Sequence, residues 1–576
     1  MLTTDSSNSR HTTDACHSTT DYSDSSSQLV LKKIRQSIIG AQQNITTPFG
    51  ERKLTYADYT ASGRCLDFIE QAVQHAMPFY ANTHTEANAT GMQTTAFREQ
   101  AREEIRQAVN ASPEDLIIFC GSGATSAINT LISQLGLRQL DATEKAQTRI
   151  FIGPYEHHSN ELPWRELGIP LIRIKEGKQG GVCLQDLEDQ LQQHQGKRLI
   201  GSFSAASNVT GILSEQDAIT NLLHVYNALS CWDFAAAAPY VKIDMNPVQS
   251  EHHHKDALFF SPHKFIGGPG TPGILIVKKT IIENAQPSHV GGGTVSFVTP
   301  NDHTFLPISE RREEGGTPAI LESIRAGLVF KLKSLVGDAV IQQQEHKFVE
   351  LIDQHWQNHP SIERLGHNTA ERISITAFRI KTSLGYLHHG FITALLNDLF
   401  GIQMRGGCSC AGPYGHALLN IDDRRSEQIQ QALKAGEKLL KPGWVRFNLN
   451  YFISQQEADF ILRAIDFINQ HGLTFLPFYA YDQKKDLWRF QAQKGRAMSL
   501  DDLIQWDTLD ATNKTETKTQ QSPHDSYKAY LQQADSLAKV LQNPQQTDYA
   551  WQSQPFNPRF DSLRDFVLAK DLKAAT

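Results

Sequence analysis

In the stretch FFSPHKFIGGPG, residues 259–270, an apolar run leads straight into Ser261, Pro262, His263 and Lys264 and then into a glycine-rich turn. A lysine placed where a buried strand ends is drawn partly out of water, which disfavours its ammonium form and leaves a nucleophilic amine. Other chemistry-bearing residues lie upstream. Asp233 follows the apolar-looking SCW, 31 residues before Lys264, and His157 and His158 sit together in PYEHHSNELPW. The run CGSGATSAIN places a Gly/Ser turn ahead of a helical pattern, where free N–H groups and the helix dipole favour a phosphate. Each feature also has a plainer reading: a solvated loop lysine, a helix-capping aspartate, a surface histidine pair.

Taken together, an amine, an acid, a flat ring and an anion cradle are the parts required to hold pyridoxal 5′-phosphate. Asp233 would sit under the pyridinium nitrogen, one imidazole would lie on the ring, and Ser261 and His263 would complete the cradle. The patterns GxxxxGK[ST] and GxGxxG are both absent from the turn, so nucleotide binding has no motif behind it.

Positioning such residues requires a framework. Short apolar segments (LIIFC, RIFIG, LIRIK, LIGSFSAA, SCWDFAA, DALFFS, GILIVKK) alternate with amphipathic ones, the signature of an α/β fold with a mostly parallel sheet and helices on both faces. Ligands bind such sheets beyond the carboxyl ends of the strands, where Ser122, His157, Asn208, Asp233 and Lys264 all fall. A long helical pattern over GLVFKLKSLVGDAVIQQQEHKFVELIDQHW leads into a smaller C-terminal α/β unit with strands RISITAFRI and WVRFNLN. FISQQEADFILRAIDFINQHG closes it as a helix with a glycine stop. The expected division is a tail without fixed structure at 1–28, a large unit at 29–335, a small one at 336–480, and an appendage at 481–576. One helix is expected in that appendage, around SYKAYLQQADSLAKVLQ.

The 576 residues carry a net charge of −7, which argues against nucleic acid as a partner, since no positive field is present to release counterions. Seven scattered cysteines lack framework spacing, the N-terminus lacks an apolar signal core, and no apolar run reaches the roughly 20 residues of a membrane helix. The reading is a cytoplasmic protein without a membrane partner.

FFSPHKFIGGPGTPGIL resembles the lysine signature of the class V aminotransferase family of pyridoxal-phosphate enzymes, in particular its cysteine desulfurase and selenocysteine lyase branch. YADYTAS, EHHSNELPW, SNVTG and EEGGTPAI resemble further family segments in the same order, from about residue 55 to 475. The resemblance implies a fold-type I enzyme with Lys264 as the Schiff-base lysine, Asp233 as pyridinium partner and His157 stacked on the ring. It implies Asn208 as donor to the ring's phenolate oxygen and Ala124, Thr125, Ser261 and His263 as phosphate holders. Thr317 occupies the place of a threonine that crosses to the neighbouring subunit's phosphate in family homodimers. Arg446, in GWVRFNLN, matches the family's binder of the substrate carboxylate; by itself it reads equally as a surface salt bridge.

MRGGCSCAGPYGH, 404–416, resembles the family loop that carries the persulfide-forming cysteine and puts Cys410 there, on a mobile loop. The implied function is desulfuration of L-cysteine, with sulfur moved to Cys410, alanine released, and a sulfur-acceptor protein as possible partner. Two departures stand out: Ala236 takes the place of a family glutamine, and Cys408-Ser409 replaces a His-His pair. They keep open an aminotransferase or β-lyase acting on another amino acid without a persulfide. A non-catalytic or metal-binding module is the third reading. Cys408, Cys410 and His416 are an incomplete zinc set, so no metal is expected.

Overall fold

A computed structural model describes residues 20–83, 85, 87–248, 252–490, 499–500, 523–542, 549–552 and 554–575. The main sheet has seven strands, in spatial order Asp115–Cys120, Gly273–Lys278, Ala257–Phe260, Leu229–Asp233, Arg198–Ser204, Thr148–Ile152 and Leu171–Arg173. Gly273–Lys278 runs antiparallel to both neighbours, and all other pairings are parallel. Alternate side chains of Ala257–Phe260 serve two cores. Ala257 and Phe259 pack with Ile128 and Leu131 of the helix Gly123–Gln134, whereas Leu258 and Phe260 pack with Val329 and Phe330 of the helix Ile320–Val336. Burial on both faces is why this strand reads as a continuous apolar run.

A second, antiparallel sheet orders Ile362–Arg364, Ile375–Thr382, Trp444–Asn448 and Arg405–Gly407, with Gly385–Tyr386 paired to Ile375–Thr382. Its covering helix, Gln455–Phe475, is capped by Ser454, whose hydroxyl accepts from the Glu457 N–H, and buries Ala458, Ile461, Ile465 and Ile468. The fold is therefore α/β, a large mostly parallel sheet layer with a smaller α/β unit.

Several local expectations need correction. The long helical pattern at 327–356 is two helices, Ile320–Val336 and Asp338–Trp356, because Gly337 adopts φ +87° and turns the chain. The glycine stop at 472 does not operate. Gly472 lies inside the helix, against Leu387, and the helix runs on to Phe475. A helix Thr20–Ser37 begins inside the tail expected to lack structure; the rest of that tail, 1–19, lies outside the described residues.

The appendage packs rather than dangles where it is described. The expected helix is Pro523–Leu541, with a second at Ala569–Ala575, and the first stacks Tyr527 on Phe460 with ring centroids 4.0 Å apart and an interplanar angle of 10°. The Tyr530 hydroxyl accepts from the Lys53 N–H at 3.1 Å, and the Arg52 guanidinium donates to Gln533 at 2.8 Å. Among the described residues no helix is long and apolar enough to cross a membrane.

Candidate active site

Parallel register brings the reactive residues to one sheet end. Ser204 pairs with Asp233, Asp233 pairs with Phe259, and the next strand position after Phe260 is Ser261, where the chain turns into Pro262–Lys264. The turn is fixed by backbone hydrogen bonds from Lys264 N to Ser261 O and from Phe265 N to Pro262 O, both 3.0 Å. Gly268 closes it: a Cβ there would stand 2.0 Å from the Pro262 carbonyl oxygen, so no larger residue fits.

A cavity of about 450 Å³ opens over this turn. Lys264, Asp233, His157 and Asn208 line it together with Ala124, Thr125, Ser261, His263 and Arg446. Ala236 lines it too, an apolar wall where a family glutamine would offer an amide. The cradle is built on the first turn of the helix Gly123–Gln134, whose leading N–H groups have no intrahelical acceptor. One of them is already used, since Ala124 N donates to Ser261 Oγ at 2.9 Å; Ala124 therefore acts through Ser261 and not as a free donor. The Thr125 and Ser159 hydroxyls are 2.6 Å apart and extend the polar rim.

Burial sets the charges. Loss of water lowers the Lys264 ammonium to about 8; Asp233 opposes the fall, while the guanidiniums of Arg446 and Arg405 add to it. Burial likewise brings His157 to about 3 and His263 to about 4, helped by the charge on Lys264, so both imidazoles are neutral at pH 7. Desolvation raises the Asp233 carboxyl, countered by a 2.8 Å hydrogen bond from Ala235 N and by Lys264. Among the described residues no cation closes an ion pair on Asp233, although it is only 4% exposed.

These surroundings fit pyridoxal phosphate. Asn208 Oδ1, Ser409 Oγ and Arg446 Nε are buried without hydrogen-bond partners, and all three residues line the same cavity. Orphaned polar atoms on three residues that share one cavity mark a site built for a polar ligand. A carboxylate without a cation, an amine of low basicity and an anion cradle in one cavity supply the complement of a pyridinium ring, an aldehyde and a phosphate.

Several groups that shape the site escaped the sequence reading. Asp58, within the YADYTAS segment, pairs with Arg446 at 3.1 Å, and Arg446 also donates to the Asn208 carbonyl at 2.9 Å. Arg405, within MRGGCSC, lines the cavity. Glu156 accepts from Ser204 N at 3.0 Å, Ser204 Oγ at 2.7 Å and Asn160 Nδ2 at 2.5 Å, anchoring the loop that presents His157. Burial lifts this carboxyl to about 7.

Two expected residues are not brought to the cavity wall. Thr317 is exposed and accepts a 3.2 Å hydrogen bond from Asn82. Cys410 lines a neighbouring cavity of about 730 Å³ together with Cys408; Arg405 and Ser409 line both spaces and form the partition. Nor is the cysteine loop free here. Asn208 Nδ2 donates to Ser409 O at 2.8 Å, His158 N donates to Cys410 O at 2.8 Å, and Gly412 N donates to His158 Nε2 at 3.0 Å. Asn208 thus spends one amide hydrogen on the loop and keeps one for a ligand. Ser409 and Cys410 both hold left-handed backbone, φ +52° and +56°, a conformation that costs roughly 1–2 kcal/mol per residue and marks the loop as strained. His416 is engaged elsewhere, by the Gly412 carbonyl at 2.7 Å and Ser426 Oγ at 2.9 Å, and among the described residues it forms no metal-binding group with Cys408 and Cys410.

The fold and cavity define a fold-type I scaffold with a lysine-centred site. The family described as aminotransferase class-V matches residues 55–458, and the chain belongs to it. Among its relatives, a probable cysteine desulfurase of Halalkalibacterium halodurans is 29% identical over 372 residues, covering 62% of this chain and 84% of that protein. One of Streptomyces coelicolor is 26% identical over 366 residues, covering 63% and 84%. The solved apo structure of a cysteine desulfurase from Thermococcus onnurineus NA1 superposes with TM-score 0.63 at 22% identity, covering 76% of this chain and 98% of that one. A cysteine desulfurase from Escherichia coli gives 0.58 at 20% identity, covering 76% and 97%. At these identities the structures establish the fold alone.

Proposed function

We propose that this chain is a cysteine desulfurase that uses pyridoxal phosphate, moves sulfur from L-cysteine to Cys410 and releases alanine. The observation that carries the reading is the partition: Ser409, next to the cysteine, lines the Lys264 cavity while Cys410 faces the adjoining space. Lys264 would bind the cofactor, Asp233 would face its ring nitrogen and His157 its ring face. Asn208 would meet its phenolate oxygen, and Thr125, Ser261 and His263 would hold its phosphate. The cofactor, when bound, supplies an aldehyde for an amine and a ring that accepts an electron pair from the substrate's α-carbon.

The chain's own residues supply the rest. The Arg446 guanidinium, held by Asp58 and the Asn208 carbonyl, lines the cavity, where it would meet the substrate's carboxylate. Lys264 Nζ, lowered to about 8, takes and returns a proton near neutral pH. Cys410 Sγ forms the new S–S bond as the substrate's C–S bond breaks; that electron pair stays with carbon, where a proton completes alanine. A sulfur held on Cys410 would face the second cavity, toward an acceptor protein.

The active form is proposed to be a homodimer. Met77, Phe79 and Tyr80 are each about half exposed on the segment leading to Asn82, which bonds Thr317, so an apolar patch surrounds the residue expected to cross between subunits.

The test combines L-cysteine with the cofactor-loaded protein and measures alanine, pyruvate and transferred sulfur. Alanine in stoichiometric yield, lost in Cys410→Ser, is the expected result. Pyruvate as the main product, or unchanged turnover in Cys410→Ser, would favour the β-lyase or aminotransferase reading.

A further inference from the structure

At the opposite end of the sheet, His224, His254 and Asp256 bring one donor atom each within 4.8 Å of one another. His224 ends the helix Gln216–Val225, and Asp256 immediately precedes the strand Ala257–Phe260. We propose that these three residues bind a divalent transition-metal ion of the zinc type, which fastens the helix end to the strand that leads into Ser261–Lys264.

The hydrogen bonding of His224 carries the inference. Its Nδ1 is 2.8 Å from the His252 carbonyl oxygen, an acceptor that requires an N–H there. A neutral imidazole with its hydrogen on Nδ1 aims a lone pair from Nε2, yet Nε2 faces an Asp256 carboxylate oxygen at 2.9 Å. Two acceptors face each other unless a cation lies between them, either a second proton on the ring or a metal ion. An Nδ1–H to a backbone carbonyl is also how metal-bound histidines are commonly oriented.

The donor set and spacing decide in favour of the metal. Two imidazoles and one carboxylate leave a fourth tetrahedral position for water. Donors bound at about 2.05 Å to a tetrahedral ion stand about 3.3 Å apart, and the separations here, 2.9 Å from His224 Nε2 to one Asp256 carboxylate oxygen and 3.7 Å from His254 Nε2 to the other, lie on either side of that value. The His254 ring lies 4.4 Å, centroid to centroid, from the His224 ring, so both imidazoles stand beside the same carboxylate. Asp256 is oriented by the Ser230 N–H at 2.7 Å, an outer-sphere partner.

Ser230 and Asp233 are three residues apart along one strand, about 10 Å, so the ion would not touch the reaction centre. Its role is to stiffen the strand that bears the lysine.

The experiment uses the full chain, untagged and dialysed against a chelator, with Zn²⁺ titrated by calorimetry and Co²⁺ by visible absorption. One ion per chain is expected, with a raised thermal midpoint and a cobalt spectrum lacking a thiolate charge-transfer band. His254→Ala, which removes the more exposed ligand, should weaken binding at least about tenfold. Cys408→Ser/Cys410→Ser should leave binding unchanged. Absence of binding, binding equally tight in His254→Ala, or binding lost only in the cysteine variant would each overturn the site.

Discussion

At the residue scale the decisive quantity is the basicity of Lys264. Its folded value of about 8 lies below the ordinary lysine value, so the free amine is about a tenth of the population at pH 7 and nearly all of it above pH 9. Uptake of pyridoxal phosphate by the cofactor-free chain, followed by visible absorbance, should therefore quicken about tenfold from pH 7 upward and level off above pH 9. A rate flat across that range would mean that Lys264 is not the reacting amine. The guanidinium of Arg446 makes a second residue-scale prediction. Arg446→Lys keeps the charge but loses the planar fork, and KM for L-cysteine should rise at least about tenfold while cofactor absorbance is unchanged. Asp58→Asn should raise KM as well, with less effect on kcat, because it frees the guanidinium it holds.

Elements place these residues through contacts that tolerate little. The helices Ala89–Ala108 and Ile320–Val336 touch at Gly327, where a Cβ would lie 2.4 Å from both the Cα and Cβ of Ala101. Gly327→Ala must push the helices apart, and it should cost about 1–3 kcal/mol in urea unfolding, with turnover per folded chain retained. The lysine turn depends on an element end: the parallel register aligns Ser204, Asp233 and Phe259, and one residue of slip would exchange the faces served by Leu258 and Phe259. Strand identities were legible because apolar runs buried on both faces have no other reading of that length. The division at Gly337 was not legible, since the apolar period continues through it and only the backbone angle betrays the turn.

For the whole molecule, the helix Pro523–Leu541 and the exposed patch make separate predictions. Tyr527→Ala removes the ring stacked on Phe460 and should lower stability by about 3 kcal/mol, seen as an earlier thermal midpoint. Phe79→Asp, on the half-exposed apolar patch, should convert a dimer to monomers in sedimentation and loosen cofactor retention. A dimer undiminished by that change would remove this patch from the interface.

By itself the sequence determined the α/β framework and most of the cavity wall, because strand ends follow from apolar patterning and reactive side chains at those ends are local facts. Lys264, Asp233, His157, Ser261 and His263 could be named without coordinates for that reason. Only the tertiary structure decided that Asp58 grips Arg446, that Asn208 and His158 pin the cysteine loop, and that Cys410 looks into the neighbouring space. The first two are contacts between segments 200 or more residues apart, and no local pattern encodes them. Their geometry arises only when the chain folds and each buried polar group takes the partner within its reach.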